Sequence, residues 1–277
     1  MIKRDILLSS GQYKLSGIHW QAENPIANVV LIHGFGEHIS RYDHVAQKFN
    51  NHNISVVGID LIGHGNSSGK RGHIKSIQDL FDCIDSLIDF IKQDGKLLPM
   101  ALYGHSMGGN IVLNYQIRHP ESSFCCVVAT SPWLKLKMQP SSIQLFLAKT
   151  MNSIYPSLQQ SGGLDIKEIS SVKEVQLNYE NDPLNHDKIS VRLFNEIFKY
   201  GLQAIEQAGK IKVPVLVAHG EADGITSVEA SKEFAANCPS ATLKLWPGLR
   251  HETHNEYNQE EVIDYYIQWV TQQLSPK

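Results

Sequence analysis

One serine lies in a setting that could make it a nucleophile. Residues 104–108 read Gly-His-Ser-Met-Gly, directly after the apolar run 100–103 and just before a helical pattern that begins at Gly109. A strand, a tight turn and a helix in this order lift a serine hydroxyl clear of the backbone, and the flanking glycines permit the strained turn. The pattern therefore predicts that Ser106 is a nucleophile at a tight turn between a strand and a helix.

A candidate acid and a candidate base follow further along the chain. Asp223 comes just past the apolar run 215–218, and the carboxyl ends of parallel strands are where open sheets place their chemistry. His251 lies in a loop that follows the strand pattern 241–245. A serine hydroxyl becomes reactive when an imidazole accepts its proton and a carboxylate orients that imidazole. We interpret Ser106, Asp223 and His251 as a catalytic triad; the alternatives are a loop cap at 223 and a surface histidine at 251.

Backbone donors for a developing oxyanion are also indicated. The buried-strand run 28–32 breaks at residues 33–36, which read His-Gly-Phe-Gly. Turns of this kind supply a backbone N–H group to the oxyanion of acyl transfer. We assign the two donors to the N–H groups of Phe35 and Met107, the second of which opens a helix next to the nucleophile. The alternative is a simple glycine turn between a strand and a helix.

With these motifs in place, the chain resembles the monoacylglycerol lipases and their lysophospholipase-like relatives in the α/β-hydrolase superfamily. The resemblance covers nearly the whole chain and rests on motifs in sequence order: residues 33–38 with Arg41 and Tyr42, Asp60 with residues 63–65 and Ser67, residues 104–109, residues 182–184, and Ala222 with Asp223. The motifs are less specific for the substrate than for the family, because carboxylesterases and lysophospholipases share many of them.

The resemblance also implies a set of substrate-binding residues. Glu37, Arg41, Tyr179 and His254 fall where the monoglyceride enzymes of this family gather polar groups around the glycerol head. We expect these side chains to converge on the mouth that receives the leaving alcohol. The alternative is a local salt bridge between Glu37 and Arg41 with a solvent-facing His254.

The order of the predicted elements defines the fold. Strand patterns alternate with helical ones, which is typical of a mostly parallel central sheet covered by helices on both faces. This alternation stops between about Ser131 and Ala208. We therefore predict the α/β-hydrolase fold, with residues 1–131 and 209–277 as the core and residues 132–208 as an inserted helical cap.

The cap carries an apolar helical pattern of its own. A shared face is predicted for Ile143, Phe146, Leu147, Met151 and Ile154, whereas Leu145 points away from it. This face either packs on the core or lines an acyl pocket, in which case Leu145 reaches into lipid. A second cap helix is predicted around Val191, Phe194, Ile197, Phe198 and Leu202.

Composition limits the other classes of function. The 277 residues are 42% hydrophobic and carry a formal net charge of -3, and no basic run marks a nucleic-acid surface. The apolar stretch at the start is too short for a signal peptide and no later run could span a bilayer, so we expect a soluble, cytoplasmic protein with free thiols. Peripheral membrane contact through the cap remains open.

A metal site and a cofactor are not expected. His251 and His254 are three residues apart, whereas the zinc motif His-Glu-x-x-His needs a spacing of four on a helix. Acyl transfer through a serine requires no metal or organic cofactor.

The sequence thus predicts a serine hydrolase of lipid esters, with monoacylglycerol as substrate and an acyl-serine intermediate. A lysophospholipase and a broad carboxylesterase are the alternatives. A serine peptidase would use the same chemistry, and a non-catalytic ligand receptor could keep the same fold. The sequence leaves the oligomeric state open.

Overall fold

A twisted sheet forms the centre of the molecule. The computed structural model describes residues 2–93 and 98–274. Within these ranges the strands are β1 (Ile2–Ser10), β2 (Tyr13–Gln21), β3 (Ala27–Ile32), β4 (Ile54–Ile59), β5 (Met100–His105), β6 (Phe124–Thr130), β7 (Gln159–Ser161), β8 (Lys188–Ser190), β9 (Val215–Gly220) and β10 (Ala241–Trp246). All but β7 and β8 join one sheet in the order β1-β2-β4-β3-β5-β6-β9-β10. From β4 to β10 every neighbouring pair is parallel, and the β1–β2 hairpin adds antiparallel strands at one edge.

Helices connect these strands. In the described ranges they are α1 (Asp43–Asn51), α2 (Gln78–Gln93), α3 (Met107–Arg118), α4 (Ser142–Ile154), α5 (Lys173–Asn181), α6 (Val191–Gln207), α7 (Val228–Asn237) and α8 (Gln259–Leu274). No helix in the described part of the chain is both long and apolar enough to cross a bilayer.

The central strands are buried on both faces because their side chains alternate between two apolar cores. In β3, Val30 and Ile32 join one core, which also holds the apolar stripe of α2, whereas Val29 and Leu31 face the other core with α8. Strands buried on both faces read as continuous apolar runs, which is why they were recognisable in the sequence. The predicted α/β-hydrolase fold is confirmed. The β1–β2 hairpin was not predicted.

The stretch between β6 and β9 contains α4, α5 and α6, as the predicted cap requires, and also the two-stranded β7–β8 hairpin. The boundaries of the cap at residues 132 and 208 stay a prediction. The second predicted cap helix corresponds to α6, in which Leu193 and Ile197 are buried.

The predicted orientation of α4 is wrong. Ile143 is 72% exposed and Phe146 68% exposed, and Leu147 and Ile154 also face solvent. Leu145 is half-buried instead, as is Ala148, whose carbonyl oxygen accepts a hydrogen bond from Nδ2 of Asn195 on α6. The helix is apolar over most of its circumference, so periodicity could not tell which side would meet a partner. No residue of this fully described helix lines the cavity beside Ser106, so the acyl-pocket interpretation of its face is also wrong.

Candidate active site

Ser106 lies at a strained turn between β5 and α3. Its backbone has φ 54° and ψ -115°, a conformation rarely adopted by a residue with a side chain. The turn fits tightly against its neighbours, because a Cβ on Gly104 would come within 2.3 Å of the Gly108 carbonyl oxygen. A Cβ on Gly108 would come within 2.1 Å of the Ile32 carbonyl oxygen on β3. Both glycines are therefore sterically required.

The structure brings Asp223 and His251 into hydrogen-bond contact. Asp223 follows β9 and is 1% exposed, and its Oδ2 lies 2.7 Å from Nδ1 of His251. Its Oδ1 accepts hydrogen bonds from the backbone N–H groups of Ile225 and Thr226 at 2.7 and 3.0 Å. The carboxylate is thus held by its own loop, with one oxygen directed at the imidazole.

The charge on Asp223 determines which ring nitrogen of His251 carries the proton. Burial by itself would raise the pKa of Asp223, but His251 and the hydrogen bonds from His219 and His251 outweigh burial and hold that pKa well below its usual range. An ionised carboxylate only accepts hydrogen bonds, so Nδ1 of His251 must donate. Nε2 of His251 is then left as the free acceptor that a serine hydroxyl needs.

Asp223 has further partners that the sequence analysis missed. Nε2 of His219 and Oγ1 of Thr226 lie 2.9 and 2.8 Å from Oδ2 of Asp223. The signal for His219 was its place at the end of β9, four residues before Asp223. Nothing in the local pattern showed that its ring would turn toward the carboxylate.

The candidate oxyanion donors are backbone N–H groups of the loop after β3 and of the first turn of α3. Met107 is the first residue of α3, and the N–H groups of a first helical turn have no acceptor within their helix. The loop carrying Phe35 is fixed on both sides: Gly34 N donates to Oε1 of Glu37 at 2.6 Å, and His186 N donates to the Gly36 carbonyl at 2.9 Å. The loop thus presents a rigid backbone to the cavity.

A single cavity of about 560 Å³ contains both Ser106 and His251 in its lining. Its apolar lining includes Phe35, Trp133, Leu136, Met138, Leu164, Ile169, Ile189, Phe194 and Ile225. The polar lining includes Glu37, Tyr179, Asp165, Glu168 and Glu252. The volume lies within the range of cavities that enclose small organic ligands.

The four residues assigned to the head group do not all reach this cavity. Glu37 and Tyr179 line it, and Tyr179 donates through its hydroxyl to the Gly36 carbonyl at 3.3 Å. Arg41 and His254 do not line the cavity. His254 is 1% exposed and stacks on Tyr42, so it does not face solvent as the alternative supposed.

Arg41 instead joins two loops of the site. Its guanidinium donates two hydrogen bonds of 2.7 Å to the carboxylate of Glu252 and also pairs with Glu37. Burial would raise the pKa of Glu252, but the adjacent guanidinium lowers it far below its usual range. Glu252 follows His251 directly, so this ion pair ties the loop carrying Phe35 to the loop carrying His251. The sequence analysis considered Glu252 only as part of a zinc motif.

Among residues 2–93 and 98–274, no group of three or more histidine, cysteine, aspartate or glutamate side chains is arranged to hold a metal ion.

Known proteins are similar to this chain in sequence and in fold. A monoacylglycerol lipase from Mycolicibacterium smegmatis is 32% identical, over 91% of this chain and 90% of its own length. The solved structure of a monoacylglycerol lipase from Paleococcus ferrophilus superposes with a TM-score of 0.86 at 34% identity, covering 94% of this chain and 99% of that one. An abhydrolase domain-containing protein of Dictyostelium discoideum is 34% identical over 97% of this chain, but the chain spans only 29% of that protein's length.

The sequence profile of the family described as serine aminopeptidase S33 matches residues 23–258. The chain belongs to this family of serine hydrolases. Its resemblance to the monoacylglycerol lipases within the α/β-hydrolase fold is confirmed.

Proposed function

We propose that the protein hydrolyses carboxylic esters of lipids, with monoacylglycerol as its preferred substrate, and releases a fatty acid and glycerol. The observation that carries this proposal is the cavity itself. Ser106 and His251 share it with an extensive apolar lining and with the polar side chains of Glu37 and Tyr179. Such a cavity suits an ester with a long apolar acyl group and a small hydroxylated alcohol.

The mechanism follows from the assigned protons. His251 Nε2 accepts the proton of Ser106 as Oγ attacks the ester carbonyl carbon, while Asp223 stabilises the resulting imidazolium. The N–H groups of Phe35 and Met107 bind the oxyanion. The tetrahedral intermediate collapses as His251 protonates the departing glycerol oxygen, which leaves an acyl-serine. Water then attacks that ester with His251 as base, and the fatty acid leaves as Ser106 regains its proton.

The charge of the cavity favours a neutral head group. Glu37 and Glu252 in the lining are paired with Arg41. Among the residues that the structure describes, the carboxylates of Asp165 and Glu168 and the ammonium of Lys137 are then the other charged groups of the lining apart from histidine. This excess of carboxylates disfavours an anionic phosphate, and glycerol carries no charge. This is why we place monoacylglycerol ahead of a lysophospholipid. The same carboxylates would accept a cationic amine, which keeps an aminopeptidase as the second candidate.

Residues 132–208 act as a cap over Ser106, because Leu136, Leu164 and Phe194 from this segment line the cavity.

The exposed side chains of Ile143, Phe146, Leu147 and Ile154 form what we call the α4 apolar face. A solvent-facing apolar surface of this kind favours peripheral contact of the cap with a lipid surface.

A turnover panel tests the assignment. Purified protein is assayed with monoacylglycerols, lysophosphatidylcholine, soluble aryl esters and amino-acid anilides, and kcat/KM is compared at one pH. We expect the highest kcat/KM for a monoacylglycerol and no anilide turnover. Preference for lysophosphatidylcholine would identify a lysophospholipase, and anilide turnover would identify a peptidase. Single-turnover labelling with no steady-state hydrolysis would indicate a ligand receptor.

A further inference from the structure

A second histidine, His219, contacts the candidate catalytic carboxylate of Asp223. His219 lies on β9 and is fully buried, with Nε2 2.9 Å from Oδ2 of Asp223 and Nδ1 2.8 Å from Oγ of Ser231 on α7. Neither His219 nor Ser231 lines the cavity. Neither therefore touches a substrate, and whatever they do for the reaction passes through Asp223.

The donor directions in this chain follow from the charge on Asp223. Because its carboxylate only accepts, Nε2 of His219 carries the proton and donates it. With that proton on Nε2, Nδ1 of His219 is left as an acceptor, and the hydroxyl of Ser231 lies 2.8 Å away as its donor. Asp223 therefore sets the tautomer of His219, and the hydrogen bond from Ser231 stabilises that tautomer. Reversal of that tautomer would set a lone pair of His219 against the carboxylate.

His219 and His251 share one oxygen of Asp223. Their distances to Oδ2 are 2.9 and 2.7 Å, and Thr226 Oγ1 lies 2.8 Å from the same atom. A carboxylate oxygen that accepts one more N–H stabilises a neighbouring imidazolium less, because part of its charge is already compensated. We propose that Ser231 and His219 are positioning residues that hold Asp223 toward His251 and limit the basicity of His251. This inference rests on the proposed serine-hydrolase function.

The other charged and titratable groups around His251 do not depend on this pair. His105 packs against the His251 ring at 4.8 Å between centroids, and burial lowers the pKa of His105 to about 3, so it stays neutral. Glu252 and Glu37 also act on His251, and both are paired with Arg41. Substitutions at His219 or Ser231 leave these groups in place.

Three variants separate positioning from packing. His219→Leu removes the donor to Asp223, and Ser231→Ala removes the hydroxyl that donates to Nδ1 of His219. His219→Gln keeps an N–H donor the same number of bonds from Cα. Each is assayed for kcat/KM against pH with a soluble aryl ester. For His219→Leu and Ser231→Ala we expect the acid limb of the kcat/KM profile to move to higher pH. For His219→Leu we expect kcat/KM to fall about tenfold at pH 5.5 and less than about threefold at pH 8. His219→Gln should restore the wild-type limb.

A substrate-free measurement makes the result independent of the proposed function. Imidazole ¹⁵N NMR titration of the full chain gives the pKa of His251 and the tautomer of His219. We expect a raised His251 pKa in His219→Leu and Ser231→Ala, and a wild-type value in His219→Gln. An unchanged His251 pKa in both would overturn the proposal, as would equal losses of activity at every pH. If His219→Leu does not fold, Ser231→Ala carries the test. If wild type hydrolyses no ester, the proposed function fails while the titration still decides this inference.

Discussion

Ser131 holds the backbone of His251. The Ser131 hydroxyl donates to the His251 carbonyl oxygen at 2.7 Å, between residues 120 positions apart in the chain. Ser131 has φ 44°, in the left-handed region, and its own carbonyl oxygen lies 3.2 Å from Oγ1 of Thr226, whose hydroxyl donates to Asp223. One strained residue after β6 thus holds the His251 loop by a hydrogen bond and contacts the Asp223 loop.

This contact leads to a prediction about alignment. Ser131→Ala and Ser131→Gly both remove the hydroxyl, and we expect each to lower kcat by about three- to tenfold, the value of one hydrogen bond. Glycine relieves the left-handed strain whereas alanine does not, so Ser131→Gly should have the higher Tm. Steady-state kinetics and thermal unfolding of the two variants provide the test. Activity that follows Tm would show that Ser131 acts only on stability.

The assigned nucleophile gives the second prediction. Ser106→Ala should lower ester turnover by around 10⁶-fold and abolish covalent labelling by a fluorophosphonate, because no activated hydroxyl remains. Asp223→Asn and His251→Ala should be severely impaired as well. Circular dichroism and Tm check that the fold is kept. Substantial turnover by purified Ser106→Ala, with contaminating esterase excluded, would refute the mechanism.

The third prediction concerns pH. Burial would lower the pKa of His251, but the Asp223 carboxylate outweighs it and raises that pKa above the usual 6.5. The base must be neutral to accept the serine proton, so kcat/KM should rise with pH through a midpoint above 6.5. Asp223→Asn removes the negative charge and should move this midpoint to lower pH while lowering the plateau. A wild-type midpoint below 6.5 would contradict the assignment of the base to His251.

The α4 apolar face gives the fourth prediction. Phe146→Asp should lower turnover of monoacylglycerol in vesicles by about tenfold or more, because the lipid contact of a large apolar side chain is lost. Turnover of a soluble aryl ester should be unaffected. Gln144→Glu adds a carboxylate at an exposed position of the same helix outside the α4 apolar face, keeps the acceptor for the Ser141 N–H, and serves as the control. Equal losses on both substrates would show that Phe146 matters for packing and not for lipid.

The head group gives the fifth prediction. Glu37 lines the cavity, so Glu37→Gln should reduce kcat/KM for a monoacylglycerol more than for an aryl ester of the same acid, by roughly 1 to 3 kcal/mol. His254 lies outside the lining, in ring contact with His105 at 4.9 Å between centroids. His254→Ala should therefore affect both esters alike. Parallel losses in Glu37→Gln would remove Glu37 from glycerol recognition.

Local patterns in the sequence determined strands of the parallel part of the sheet and the order of the site residues. The run 28–32 lies within β3 (Ala27–Ile32), because a strand buried on both faces must be continuously apolar. The turn at Ser106 was readable from Gly104, since only glycine permits the close approach to the Gly108 carbonyl oxygen four residues later. These features depend on residues within a few positions of each other, so no tertiary information was needed.

Tertiary structure alone decided which groups meet. Arg41 pairs with Glu252 across 211 positions, and His219 turns toward Asp223 rather than toward a core of apolar residues. The side of α4 that packs was likewise decided by where α6 lies, because a helix that is apolar on most sides carries no local signal for its buried face. A partner far along the chain is set by how strands and loops are brought together, and short-range periodicity does not encode that arrangement.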